Sequence, residues 1–171
     1  ELAVRNTEPV LAAVYQSALA QIYRNNYRLR DKDGKTAQTF FDLSLQHPEL
    51  LAKTQAKGYE PMLLPGVDSR IFNNDLLHVL GLAAGEYGLL YRYYEKVGNR
   101  RAACLLARLM LEETETNFAD SVNAEKEEED TCKFDELPIV RKLDSLMNVY
   151  ADLPEVAELA IYRYSLMYDS E

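Results

Sequence analysis

The chain has 171 residues, of which 47% are hydrophobic and 27% are charged, which are the proportions of an ordinary globular protein. It carries 28 acidic and 19 basic residues, and the resulting net charge of -9 disfavours direct binding to nucleic acid phosphates. No run of about 18 apolar residues occurs, so the sequence predicts no membrane-spanning segment.

The first half of the chain reads as four helices separated by proline, glycine and acidic turn residues. Apolar residues recur at spacings of three and four, which is the period of a half-buried helix. Proline is tolerated in a first helical turn and glycine favours the position just after a last one. The predicted helices run from Pro9 to the turn at 31–34, over 36–45, from Pro48 to Gly58 as the C′ residue, and from a cap at Asp68 or Ser69 towards Gly81 and Gly85.

Residues 88–109 read as a helix, a very short turn and a second helix. Leu89, Leu90, Tyr93, Tyr94 and Val97 form the predicted apolar face of the first helix. A turn this short makes the two helices antiparallel neighbours.

The residues at the turn explain how it is built. Gly98 is free to adopt a positive φ after the first helix, and Asn99 is suited to cap the second. Ala102, Ala103 and Ala107 then allow the second helix to approach the first closely.

The acidic run at 125–130 cannot bury apolar surface, so residues 112–136 are predicted to form a mobile acidic loop. Two further helices follow. One begins at Leu137-Pro138, and the other follows Asp152, which stands three residues before Glu155 in the spacing of a capping box.

These patterns predict an all-α fold, an irregular α-solenoid of six to eight helices stacked as antiparallel pairs. Period-two alternation is nearly missing from the sequence, which argues against strands. Because the chain starts at Glu1 rather than Met, we expect a fragment of a longer protein in which 1–171 form a single helical domain.

Residues with catalytic or metal-binding chemistry are sparse. His47 and His78 have no cysteine or carboxylate at a metal-ligand spacing, and we interpret both as surface or half-buried structural residues. Cys104 lies on an apolar helix face and behaves as a small hydrophobe, whereas Cys132 lies in the acidic segment. The sequence therefore predicts no catalytic, cofactor or metal site, and it does not identify a partner-binding residue.

Small clusters of arginine and tyrosine have structural explanations. We interpret Arg24, Arg28 and Arg30 as solvated residues at a helix end. Tyrosine is enriched at interfaces, and the chain has twelve. We interpret two groups chiefly as rings that seal the seams between helices, namely Tyr91, Tyr93 and Tyr94, and Tyr162, Tyr164 and Tyr168.

Two segments resemble one protein family. Residues 89–99, LLYRYYEKVGN, with Ala102, Ala103 and Leu109, resemble the LLWRYYEKN…AA…L pattern in the C-terminal helical region of the large inner-ring scaffold nucleoporins. Residues 143–154, LDSLMNVYADLP, are similar to a segment further along that region. Tyr91 replaces the family's usual tryptophan, and residues 1–85 match no segment of the family.

The resemblance implies a non-enzymatic structural scaffold of the nuclear pore complex at the nuclear envelope. It also implies protein partners only, namely other nucleoporins and short segments of Gly-Leu-Phe-Gly-repeat nucleoporins, in nucleocytoplasmic transport. The alternative is a cytosolic adaptor of the tetratricopeptide-like class that binds a peptide segment of a partner, although the helix pairs share no repeat of fixed length.

Overall fold

The computed structural model describes residues 8–122 and 137–169, without the side chains of residues 115–122, 168 and 169. The described residues form helices packed in pairs and no strand, which confirms the predicted all-α fold of six to eight helices. None of these helices is long and apolar enough to cross a membrane. The helices are α1 Pro9–Asn25, α2 Lys35–Ser44, α3 Pro48–Ala52, α4 Leu76–Ala84, α5 Tyr87–Lys96, α6 Arg100–Val122, α7 Pro138–Val149 and α8 Val156–Asp169.

The chain divides into two compact units, Glu1–Leu90 and Tyr91–Glu171. We refer to them as unit 1 and unit 2. The prediction of a single helical domain over 1–171 stays a prediction.

Unit 1 is organised around α4, which contacts α1, α2 and α3, while α1 and α2 form its most extensive pair. Leu76, Leu77 and Leu80 of α4 are fully buried, as are Val14 of α1 and Leu51 of α3. Burying side chains of this size contributes about 1.5–3 kcal/mol each, so α4 supplies much of the free energy that holds unit 1 together.

The start of α4 corrects the predicted cap at Asp68 or Ser69. Those two residues lie in a 3-10 turn, Val67–Arg70, and α4 begins after Asp75, whose side chain accepts a hydrogen bond from the backbone N–H of His78. Asn73 and Asn74 stand between the turn and the helix with φ of 58° and 54°. Two successive left-handed residues break the helical path, so the turn cannot continue into α4.

Gly81 lies inside α4 at a close approach to α5. A Cβ added there would stand 2.6 Å from a terminal methyl carbon of Leu90. Both residues are buried, so the absence of a side chain at position 81 is what lets Leu90 fill this space. Gly81 is therefore a packing residue of α4.

Unit 2 has a core to which α6, α7 and α8 all contribute. Ala103, Cys104 and Ala107 of α6 pack there with Leu143 of α7 and Leu159 of α8. Ala103 and Ala107 therefore allow α6 to pack closely against α7 and α8, whereas the sequence predicted that these small residues bring α6 close to α5.

The turn between α5 and α6 is built as predicted. Gly98 has a φ of 77°, and the Asn99 N–H donates to the Tyr94 carbonyl in the 6→1 bond of a Schellman motif. Asn99 caps α6, because its side-chain oxygen accepts from the Ala102 N–H at 3.2 Å. Val97, which was predicted to lie on the apolar face of α5, is 53% exposed and does not belong to that face.

Three other helix bounds differ from the predictions. Helix α1 ends at Asn25, well before the turn at 31–34, and Gly58 lies in a 3-10 turn, Ala56–Tyr59, rather than after a helix. Helix α6 continues to Val122, so residues 112–122 of the predicted 112–136 loop are helical. Residues 123–136 lie outside the described part of the chain.

Candidate functional site

Three buried polar side chains of unit 1 are linked to one another by hydrogen bonds. The Ser69 Oγ lies 3.0 Å from the His78 Nε2, and the His78 Nδ1 lies 3.2 Å from the Asp75 Oδ1. All three residues are buried. We call this set the Ser69–His78–Asp75 relay.

The carboxylate fixes the direction of the hydrogen bonds along the relay. A carboxylate only accepts, so the Nδ1 of a neutral His78 carries the proton, and its Nε2 accepts from the Ser69 hydroxyl. The Phe72 ring lies parallel to the imidazole at 5.1 Å between centroids, which holds the imidazole in place.

The relay has the connectivity of a Ser-His-Asp catalytic triad, but its surroundings are those of a structural tie. Ser69 is only 5% exposed, although it borders an open cleft of about 450 Å³. The N–H groups of Ser69 and Ile71 are hydrogen-bonded to the carbonyls of Gly66 and Asp68, at 3.1 and 2.8 Å. They are therefore already used where an acyl-transfer enzyme needs donors for an oxyanion.

The relay joins the 3-10 turn at 67–70 to the first turn of α4. Two backbone bonds extend the same tie, because the Ala56 N–H donates to the Asn74 carbonyl and the Leu76 N–H to the Thr54 carbonyl. These bonds fix a long connection that would otherwise have little regular structure.

The sequence did not predict this relay. His78 was expected to be a surface or half-buried residue without a partner at a metal-ligand spacing, whereas it is buried between Ser69 and Asp75. The Asp75–His78 half was detectable, because an N-cap aspartate lies next to the side chain of the residue three positions on. The position of Ser69 depends on the left-handed backbone at residues 73 and 74, which no sequence pattern predicted.

Unit 2 contains a cluster of ion pairs between α6 and the connection from α7 to α8. Arg100 donates to both carboxylate oxygens of Asp152, at 2.6 and 2.8 Å, and to the Val149 carbonyl at 2.9 Å. Its guanidinium also lies over the Tyr150 ring at 5.9 Å from the centroid. A two-point carboxylate contact of this kind gives geometric specificity as well as attraction.

Glu155 is the buried member of this cluster. The Arg101 Nε donates to the Glu155 Oε1 at 2.8 Å, and this hydrogen bond holds the pKa of the Glu155 carboxyl below its ordinary value. The predicted capping box is therefore wrong, because Asp152 and Glu155 pair with the two arginines and α8 begins only at Val156.

Helix α8 carries apolar residues on two opposite faces. Leu159 and Tyr162 are buried in the core of unit 2. Ala157, Ile161 and Tyr164 recur at spacings of four and three and are exposed, with Ile161 at 63%. We call these three residues the outer face of α8.

Cys104 and the remaining histidine form no metal site with the described residues. Cys104 is fully buried, and burial raises the pKa of its thiol to about 11, which confirms its place in the apolar core and makes it a poor nucleophile. His47 is exposed, and Tyr94 is fully buried. Cys132 lies outside the described residues. Within 8–122 and 137–169, no group of three or more His, Cys, Asp or Glu side chains could hold a metal ion.

Comparisons with protein-family models, curated proteins and solved structures find no match to this chain.

Proposed function

We propose that this chain is a non-enzymatic scaffold module that works through contacts with other proteins. The observation that carries the proposal is the second apolar face of α8. A helix that is apolar on one face only buries that face in its own core, whereas α8 carries a second apolar strip on the side away from its core. The outer face of α8 is therefore a surface for a further protein layer.

Leaving an isoleucine largely exposed forgoes about 1–2 kcal/mol that burial would supply. Scattered exposed apolar residues are ordinary, but three at helical spacing on one face form a continuous strip. Helical scaffold proteins extend by stacking such strips against neighbouring helices.

We further propose the nuclear pore complex as the assembly, with other nucleoporins as partners, including short segments of Gly-Leu-Phe-Gly-repeat nucleoporins. This part of the proposal is supported by the resemblance at residues 89–109 and 143–154. The first of these segments contains the turn at Gly98 and Asn99, so the resemblance falls on residues that have a defined structural task.

The test is affinity purification of the tagged chain from its source cells, with quantitative mass spectrometry of the proteins recovered. We expect nuclear pore components to be enriched with the wild type and depleted with Ile161→Asp. Ser145→Asp adds the same charge at an exposed position of α7 and should change nothing.

Two results would count against the proposal. Recovery of no nuclear pore component with the wild type would refute the assembly. Equal recovery with Ile161→Asp and wild type would refute the role of the outer face of α8. Circular dichroism of both variants controls for folding, because a change at an exposed position should cost less than about 0.5 kcal/mol.

A further inference from the structure

A second exposed surface lies at the end of α1 in unit 1. It is an open groove of about 640 Å³, and we call it the α1-end groove. Side chains from the last turns of α1, from the residues just after it and from the segment after Pro61 line it. They include Gln21, Ile22, Asn25, Asn26, Tyr27 and Met62.

The apolar side chains of the α1-end groove are large and exposed. Tyr27 is 81% exposed, Met62 is 51% exposed and Ile22 is 49% exposed. The amide side chains of Gln21 and Asn25 lie among them, and such amides can bond the backbone of a bound peptide. An apolar floor with a few polar groups is the usual composition of a binding groove.

Contacts with Arg28 hold the Tyr27 ring at the edge of the groove. The Arg28 Nε donates to the Tyr27 hydroxyl at 2.8 Å, and its guanidinium lies 5.5 Å from the centroid of the Tyr27 ring. The backbone N–H of Arg28 donates to the Asn26 Oδ1 at 3.0 Å, which fixes the turn. A ring held in place before binding loses less entropy when a partner arrives.

The segment that forms one side of the groove is basic, although the whole chain is acidic. Between Pro9 and Arg30 there is no Asp or Glu, although the chain has 28 of them, and the charged residues there are Arg24, Arg28 and Arg30. All three are exposed, and Arg28 stands at the groove through its contact with Tyr27. The guanidinium of Arg28 at the edge of the groove therefore favours a ligand that brings carboxylates there.

We propose that the α1-end groove binds a segment of a partner protein that carries a large apolar side chain beside Asp or Glu residues. The apolar side chain would pack on Ile22, Tyr27 and Met62, and the carboxylates would lie near Arg28. This inference rests on the proposed function as a protein-binding scaffold, and it gives the chemistry of one partner. A membrane surface fits less well, because the apolar residues line a concavity rather than a projecting surface.

The test selects phage-displayed random dodecapeptides on the purified full chain and measures the enriched peptides by fluorescence anisotropy. We expect a consensus with one aromatic or large aliphatic residue next to two or more carboxylates. Arg28→Glu should weaken binding at least about tenfold, Arg28→Gln by less, and Ile22→Ser by about tenfold. Raising NaCl from about 0.05 M to about 0.5 M should also weaken it.

Matched controls lie elsewhere in unit 1. Lys53→Glu reverses an exposed charge and Leu50→Ser removes an exposed apolar side chain, and both should leave binding within about twofold. Circular dichroism of Arg28→Glu and Ile22→Ser confirms that these variants are folded.

Four outcomes would overturn the proposal. They are no enriched sequence, a consensus without carboxylates, binding that Arg28→Glu leaves unchanged, and Arg28-dependent binding to phosphatidylserine vesicles in place of peptide. Tenfold tighter peptide binding after deletion of residues 124–130 would also overturn it, since the chain's own acidic run would then be the occupant. None of these outcomes involves the outer face of α8, so failure here is distinct from failure of the scaffold proposal.

Discussion

Replacing Asp75 by alanine should destabilise unit 1 more than any other single polar truncation in the relay. The substitution removes the N-cap of α4, which costs about 1 kcal/mol. It also leaves the buried Nδ1–H of His78 without its carboxylate, which costs about 1–3 kcal/mol. The expected total is a loss of about 2–4 kcal/mol in the free energy of unfolding.

Asp75→Asn separates the hydrogen bonds from the charge. Asparagine is also a good N-cap, and its side-chain oxygen can accept from both the backbone N–H and the ring of His78. We therefore expect it to cost less than about 1 kcal/mol. Asp68→Ala, at an exposed position of the neighbouring 3-10 turn, is the matched control and should lie within about 0.5 kcal/mol of wild type.

The assay is urea denaturation followed by far-ultraviolet circular dichroism, since the chain has no tryptophan to report on one region. With a slope of about 2 kcal/mol per M, Asp75→Ala should lower the midpoint by about 1–2 M. Hydrogen exchange measured by mass spectrometry on peptides from α4 assigns the loss to unit 1. An Asp75→Ala midpoint within about 0.2 M of wild type, or an Asn variant as unstable as the Ala variant, would refute this account of the relay.

The structural interpretation of the relay also predicts a negative chemical result. A fluorophosphonate probe, which labels activated serines, should not modify Ser69 in the folded chain, because its hydroxyl is buried and its neighbouring N–H groups are bonded. Covalent labelling at Ser69 that is lost in His78→Ala would show instead that the relay is catalytic.

Three further predictions concern unit 2. Ala103→Arg should destabilise the unit by about 4 kcal/mol or more in a urea melt because it buries a charge in a packed core, whereas Ala157→Arg at an exposed position should melt like wild type. Arg101 lowers the pKa of Glu155, so the pair stabilises the fold above the ordinary carboxylate pKa, and this stabilisation is lost as the pH falls through the lower pKa of the folded state. In thermal melts from pH 7 to about pH 2, Glu155→Gln should therefore lose less stability with acid than the wild type. The same loss of stability with acid in both proteins would contradict the pairing. Cys104 should react with iodoacetamide at pH 8 at least about a hundredfold more slowly in the folded chain than in urea, read by peptide mass spectrometry, and fast labelling of the folded chain would show that the core opens.

The sequence was informative where one short segment contains all the determinants of its structure. Gly98 and Asn99 are adjacent, and each has a conformational preference that needs no distant contact, so the turn between α5 and α6 was predictable. The start of α4 was not, because Asp68, Ser69 and Asp75 are all good capping residues by type. The choice among them is made by the left-handed backbone at 73 and 74 and by burial of the relay.

The binding surfaces were less predictable than the fold for a related reason. The α1-end groove needs Met62 to lie beside Ile22, and these residues are separated by two helices and a turn. Tyr162 and Tyr164 look alike in the sequence, yet one is buried and the other exposed, because the packing of α6 and α7 decides which side of α8 is covered. Helical periodicity locates two faces without saying which one meets a partner.

The contact between Gly81 and Leu90 also constrains how this protein can change over evolution. Any side chain at position 81 would collide with the leucine, and the space around it is filled, so the larger residue must be accommodated by a smaller one at position 90. The two positions should therefore vary together among related chains, glycine with leucine and alanine with valine or alanine. A larger residue at position 81 and a smaller one at position 90 should each be harmful alone and tolerated together. Such a pair would keep the spacing of α4 and α5 although neither the glycine nor the leucine remained.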